Sequence, residues 1–147
     1  DGLRDRLEDL RRGAELGGRD PESLRVTLSV TCCALPDADR ARELVRQHLA
    51  FYVGGMGTFY RDALARQGHG ETARRIHDAW QEGDRRAAVA ALGDDLLDGL
   101  AAAGSPEAVA ERLREFEGIE GVDAVAVSFP RGADRAAIDA TVEALSP

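Results

Sequence analysis

Ten residues, Phe51 to Tyr60 (FYVGGMGTFY), hold four of the chain's seven aromatic side chains and three of its glycines. Rings and a methionine offer flat, polarizable surface, and glycine lets another group come close to the backbone. Such a stretch is either a surface that something approaches closely or a helix end. In the second case Gly54-Gly55 stops the helix and the rings pack the next segment onto the rest of the protein. The other residues that could do chemistry are scattered. His48, His69 and His77 show no i,i+4 pair, so metal ligation is not expected, and His77 shares a packing face with Ala73, Ile76 and Trp80. No GxSxG, P-loop, HExxH or strand-GxGxxG-helix pattern occurs, and the spacing in GGMG is wrong for a dinucleotide fingerprint. Nothing resembles a nucleophile paired with its base. That fits chemistry supplied by a cofactor, with the protein giving position and electrostatics.

The elements that must position these residues read as follows. Leu3, Leu7 and Leu10 mark a helix over Asp1–Leu16, stopped by Gly17-Gly18. Leu24–Leu35 (LRVTLSVTCCAL) is the clearest strand, β-branched and nearly continuous in apolar or small residues, as in a parallel strand covered on both faces. Asp37 caps a helix over about Ala38–Val53. Helical patterns resume at Phe59–Arg66, Glu71–Gln81, Asp84–Leu92 and Asp94–Ala103, separated by glycines. Ser105-Pro106-Glu107 starts a further helix, a serine cap followed by proline at the first position and an acid in the first turn. Val122–Phe129 is a second short strand, and a helix over about Asp134–Leu145 closes the chain. Two strands separated by helices predict parallel α/β units, yet two strands alone cannot form a sheet covered on both faces. The pattern reads as one end of a larger α/β protein, and a start at Asp1 rather than Met agrees with that.

The 147 residues suit one segment of a single domain, and a net charge of −8 disfavours nucleic acid and anionic lipid as partners. No apolar run reaches the roughly 18 residues of a membrane span, and no signal peptide is evident. All 19 basic residues are arginine, and the 27 acids are rich in aspartate. A GC-rich genome and a salt-adapted cytoplasm both produce that balance. Cys32 and Cys33 are adjacent in an apolar run, where successive side chains point to opposite faces and do not bridge. Two reduced cysteines fit a cytoplasmic protein.

Three segments together, VTLSVTCCALPDADRAREL, HLAFYVGGMGTFYRDALARQG and AAAGSPEAVAERLREFEGIEGVDAVAV, resemble the C-terminal part of the luciferase-like monooxygenase family. Within it they look most like the oxidoreductases that use the deazaflavin coenzyme F420. FYVGGMG…FY is the most specific piece, and GSPEAVAERL followed by GVDAVAV is typical of the whole family. The resemblance implies the C-terminal part of a (β/α)8 barrel, a fold that in full needs about 250 residues. Leu24–Leu35 would be its seventh strand and Val122–Phe129 its eighth, with a helical excursion over about 38–103 between these last two strands.

The resemblance also implies roles. An excursion from the C-terminal end of a barrel strand lies on the catalytic face. Gly54, Gly55, Met56 and Gly57 would then border the deazaflavin, with Phe59 and Tyr60 toward an apolar substrate. Arg131, in SFPRGAD after the last strand, sits where barrels bind phosphate, unless it is a solvated loop arginine beside Asp134. Cys33 and Ser128–Pro130, like Ser29 and Thr31 on the first strand, are weaker candidates. The implied parent moves a hydride between F420 and a small organic substrate. Reduction of methylene-tetrahydromethanopterin is one activity of the family. A flavin mononucleotide (FMN) monooxygenase is the rival enzyme. The non-enzymatic alternative is an inert fragment or a helical interaction module, whose partner is the missing N-terminal barrel strands or a second copy of the chain.

Overall fold

The computed structural model describes residues 2–146. It is an α/β structure in which α1 (Gly2–Leu16) leads through a 3-10 turn at Pro21–Ser23 into β1 (Thr27–Ala34). A run of helices follows: α2 (Ala38–Gly55), α3 (Phe59–Leu64), α4 (Gly70–Gln81), α5 (Arg85–Ala90) and α6 (Asp94–Leu100). A single π-type turn, Ala65–His69, joins α3 to α4, with Gly68 at φ 90° where the axis kinks. Then come β2 (Ala101–Gly104), α7 (Pro106–Glu117), β3 (Ala124–Ser128) and α8 (Arg135–Leu145). No helix among the described residues is long and apolar enough to cross a membrane.

The caps expected from sequence form. Asp37 accepts from Arg40 N at 3.0 Å, and Ser105 accepts from Ala108 N at 3.3 Å. Asp134 caps α8 through Ala137 N at 2.8 Å.

The sheet has three parallel strands in the order β2-β1-β3. β1 and β3 are direct neighbours, Thr27 opposite Ala124 through Thr31 opposite Ser128. The sequence reading differs in three places. The helix expected over Asp94–Ala103 ends at Leu100, and Ala101–Gly104 is a strand. AAAG has no strand propensity of its own; pairing with Thr31–Ala34 imposes the extended state. The helical excursion therefore ends three residues early, and a third strand intervenes in the chain between the two that were expected. Finally, β1 is buried on both faces only in its C-terminal half, since Thr27 and Ser29 are exposed.

The two faces of the sheet differ. Leu28, Val30, Cys32 and Ala34 pack with Ala102 against Val109, Leu113 and Phe116 of α7 and the last turn of α8. On the opposite face Cys33 and Ala101 join the larger core, built from Ala41, Val45, Ile76, Leu92 and Leu97 of the helical run. Arg42 of α2 grips Asp98 at 2.7 Å and Asp94 at 2.9 Å, and Arg46 also pairs with Asp94. These contacts fix α6 on α2 just before the chain enters β2.

β3 stops pairing at Thr31, which leaves the Ala34 N–H without a strand partner. Thr141 of α8, 1% exposed, supplies the acceptor at 3.0 Å and donates its own hydroxyl proton to Ala137 O at 2.8 Å. Thr141→Val keeps the shape but strands a buried N–H. The expected loss is about 1–3 kcal/mol, read from the urea midpoint with an unchanged m-value.

Candidate functional site

In a parallel sheet all strands end on one side, and open α/β sheets bind their ligands outside those ends. Here β1 runs through Leu35–Asp37 into α2, and β3 runs into the loop 129–134. The loop after β3 docks on α2. Arg131 N donates to His48 Nδ1 at 2.8 Å, and the Arg131 guanidinium lies over the Phe51 ring, 4.4 Å from its centre. His48 and Phe51 are one turn apart on α2, so a single helix face holds Arg131 by backbone and side chain together. Asp134 is not its partner: that carboxylate pairs with Arg40 at 3.1 Å.

From Arg131 the aromatic contacts continue without a break. Phe51 meets Tyr52 edge-on at 5.6 Å, Tyr52 meets Tyr60 at 4.9 Å, and Tyr60 meets Phe59 at 5.3 Å. His48 packs against Tyr52 with the rings tilted by 40° and their centroids 4.7 Å apart. The outer rings of this wall are open, with Phe59 68% and Tyr60 38% exposed, and Met56, in the turn between α2 and α3, is 48% exposed. Gly57, at φ 73°, has nothing within 4 Å of where a Cβ would sit.

Gly54 and Gly55 behave differently. They form the last turn of α2, and the Trp80 indole of α4 lies on them. A Cβ on Gly54 would come within 2.5 Å of Trp80 Cβ and Cγ, and one on Gly55 within 3.0 Å of Trp80 Nε1. Gln81 Nε2 donates to Gly54 O at 3.0 Å. Trp80 meets Phe51 at 5.8 Å, so the glycines set how deeply α4 supports the wall from behind. Of the residues singled out from sequence, Phe59, Tyr60 and Arg131 are joined by this run of contacts, Met56 and Gly57 lie in the turn between α2 and α3, and Gly54 and Gly55 buttress Phe51 through Trp80.

Burial, and then the Arg131 charge, push the His48 imidazole below its ordinary 6.5, so His48 is neutral at pH 7. With Nδ1 accepting, its proton sits on Nε2. The weaker candidates lie elsewhere. Cys33 is 1% exposed within the core, and burial pushes its thiol up. Burial raises Cys32 to about 12, which makes it an inert thiol. Ser128 Oγ and Thr31 Oγ1 lie 3.2 Å apart across the β1–β3 seam, while Ser29 is exposed on β1. The sequence excludes His48 from a metal pair and points to no role in holding Arg131. The one signal at His48 is a position three residues before Phe51 and four before Tyr52 on a helical period.

The chain is similar to known proteins. A curated relative, the 5,10-methylenetetrahydromethanopterin reductase of Methanopyrus kandleri, is 30% identical over 128 residues. That alignment covers 86% of this chain and 35% of the relative, so the chain spans about a third of the relative's length. A solved structure described as coenzyme F420 dependent tetrahydromethanopterin reductase from Methanopyrus kandleri superposes with a TM-score of 0.69. It is 24% identical, and the match covers 94% of this chain and 39% of that one, a likeness of fold. The family model described as luciferase-like monooxygenase matches residues 1–122, which include the whole helical run and the three segments that carried the resemblance up to Val122. The chain belongs to the luciferase-like monooxygenase family.

Proposed function

We propose that the chain is the C-terminal portion of an F420-dependent oxidoreductase of this family, one that moves a hydride between the deazaflavin and a small organic substrate. In this reading β1 and β3 belong to the end of a (β/α)8 barrel, and 38–100 is an excursion over its catalytic face. The observation that carries it is the unbroken run of ring contacts from Arg131, just after β3, through Phe51 and Tyr52 to the exposed Tyr60 and Phe59. The relatives named above, whose descriptions specify tetrahydromethanopterin chemistry and F420, support the choice of cofactor. The exposed face of Thr27, Ser29, Ala124 and Ala126 supports a sheet that further strands complete.

The residues present fit such a group. A planar tricycle matches flat aromatic surface, and Gly57 leaves space for its edge. Met56 and Gly57 would border the ring system, with Gly54 and Gly55 shaping that border by seating Trp80. Phe59 and Tyr60 would exclude water from the substrate side, and Arg131 would hold an anionic group of cofactor or substrate. When bound, the deazaflavin supplies the hydride chemistry; these side chains orient and desolvate.

The chain's titration of F420 fluorescence tests the reading. A saturable change at micromolar levels, lost in a Phe59→Ala/Met56→Ala double variant and not reproduced with FMN, is expected. No change, or equal binding by the double variant, overturns the assignment of this wall to the coenzyme. Saturation by FMN instead favours the flavin monooxygenase reading.

A further inference from the structure

We infer that His48 is a positioning residue: as a neutral imidazole it latches the loop after β3 onto α2 and so seats Arg131 over Phe51. The inference rests on the reading of this wall as a ligand site only for its functional meaning; the latch itself is geometric. Arg131 is held at two points from one helix face, its N–H by His48 Nδ1 at 2.8 Å and its guanidinium by the Phe51 ring. The two partners are 83 residues apart in sequence, so this contact ties the excursion to the loop after β3.

The latch depends on one lone pair. Protonation at Nδ1 turns the acceptor into a donor and sets an imidazolium beside the Arg131 guanidinium. From the loop after β3, the charged group that faces His48 is Arg131; on its own helix, the Tyr52 ring packs against it. Asp134 at the start of α8 is engaged by Arg40 and by the Ala137 N–H. Among the described residues no carboxylate bonds to His48, so nothing there stabilises the imidazolium. Burial and Arg131 both favour the neutral ring, which makes the folded-state value lower than the unfolded one. The sign follows. The latch is fully present above the ordinary 6.5 and is lost as pH falls through the lowered value. Mild acid therefore frees the loop and unseats Arg131, while neutral pH holds it.

The test is NMR of the whole chain between about pH 5 and pH 8, following the His48 ring nitrogens and the Arg131 amide. Expected is an Nε2–H tautomer at neutral pH and an Arg131 amide whose exchange protection collapses with the same midpoint as the His48 titration. His48→Leu should speed Arg131 amide exchange roughly tenfold at neutral pH, the loss of one hydrogen bond. His48→Asn puts Oδ1 where Nδ1 was and does not titrate, so it should restore protection and remove the pH dependence even if the leucine variant folds poorly. An Arg131 amide indifferent to both variants, or a pH dependence surviving in His48→Asn, overturns the latch. F420 titration of the same samples separates the two ideas. Binding that persists with an indifferent Arg131 amide sinks the latch alone, and a normal latch without any binding sinks the coenzyme reading alone.

Discussion

Gly54→Ala is expected to destabilise the protein by about 3 kcal/mol, although alanine is the better helix former. Gly54 lies in the last turn of α2, where alanine would ordinarily gain up to about 1 kcal/mol over glycine. Against that stands a Cβ 2.5 Å from Trp80 Cβ and Cγ. Those atoms are the root of the indole side chain, so the ring cannot swing aside; α4 as a whole has to retreat. The retreat also loosens Phe51, which packs on Trp80, and through it Arg131. Thermal unfolding checks the sign. Gly13→Ala is the control, because Gly13 is helical in α1 with nothing within 4 Å of its missing Cβ. It should raise stability by about 0.5–1 kcal/mol. A Gly54→Ala variant as stable as the parent would mean that the α2–α4 seam is not closely packed at Trp80.

Ile76→Ala should cost a similar amount or more, about 2–5 kcal/mol, for a different reason. Ile76 is fully buried one turn before Trp80 on α4, in the cluster with Val45, Leu92 and Leu97. Removing three carbons there leaves a void that α2 and α4 cannot both close, whereas the glycine change overfills the same seam. Ile76→Val, which removes one methylene, should cost about 0.5–1.5 kcal/mol. Urea melts of the three proteins order them parent, valine, alanine. Equal midpoints for valine and alanine would show that the seam collapses freely.

Much of the scaffold was legible from residue patterns. The β-branched run of β1, the Asp37 and Ser105-Pro106 starts and the short VDAVAVSF strand each carry a local signal that tertiary structure leaves in place. β2 was not legible, because Ala101–Gly104 is extended only through its neighbour β1. The burial of β1 departs from its residue pattern for the opposite reason. A continuous apolar run matches a doubly covered strand, but Thr27 and Ser29 face outward. At the site, the crowding of rings and glycines between Phe51 and Tyr60 could be seen directly. What fills each glycine could not. Trp80 lies 26 positions beyond Gly54, and nothing local says that its indole returns to that turn. The pairing of Arg131 with His48 is more remote still, and only the docking of the loop after β3 onto α2 creates it.

The strand order has a consequence for how the chain assembles. β1 and β3 meet across 97 residues, as Thr31 and Ser128 do, whereas α2 packs on α4 and α4 on α5 at much shorter separations. Closing a long loop costs entropy that grows with its length, so distant pairings wait for near ones. The helical run is therefore expected to condense first and shorten the tether between the two strands. β2 is expected to join next, with Arg42 holding α6 on α2 just before it. β3 is then expected to dock last and to be the first strand to leave, taking the loop that carries Arg131 with it; pulsed hydrogen exchange that protects β3 as early as α2 would contradict this order.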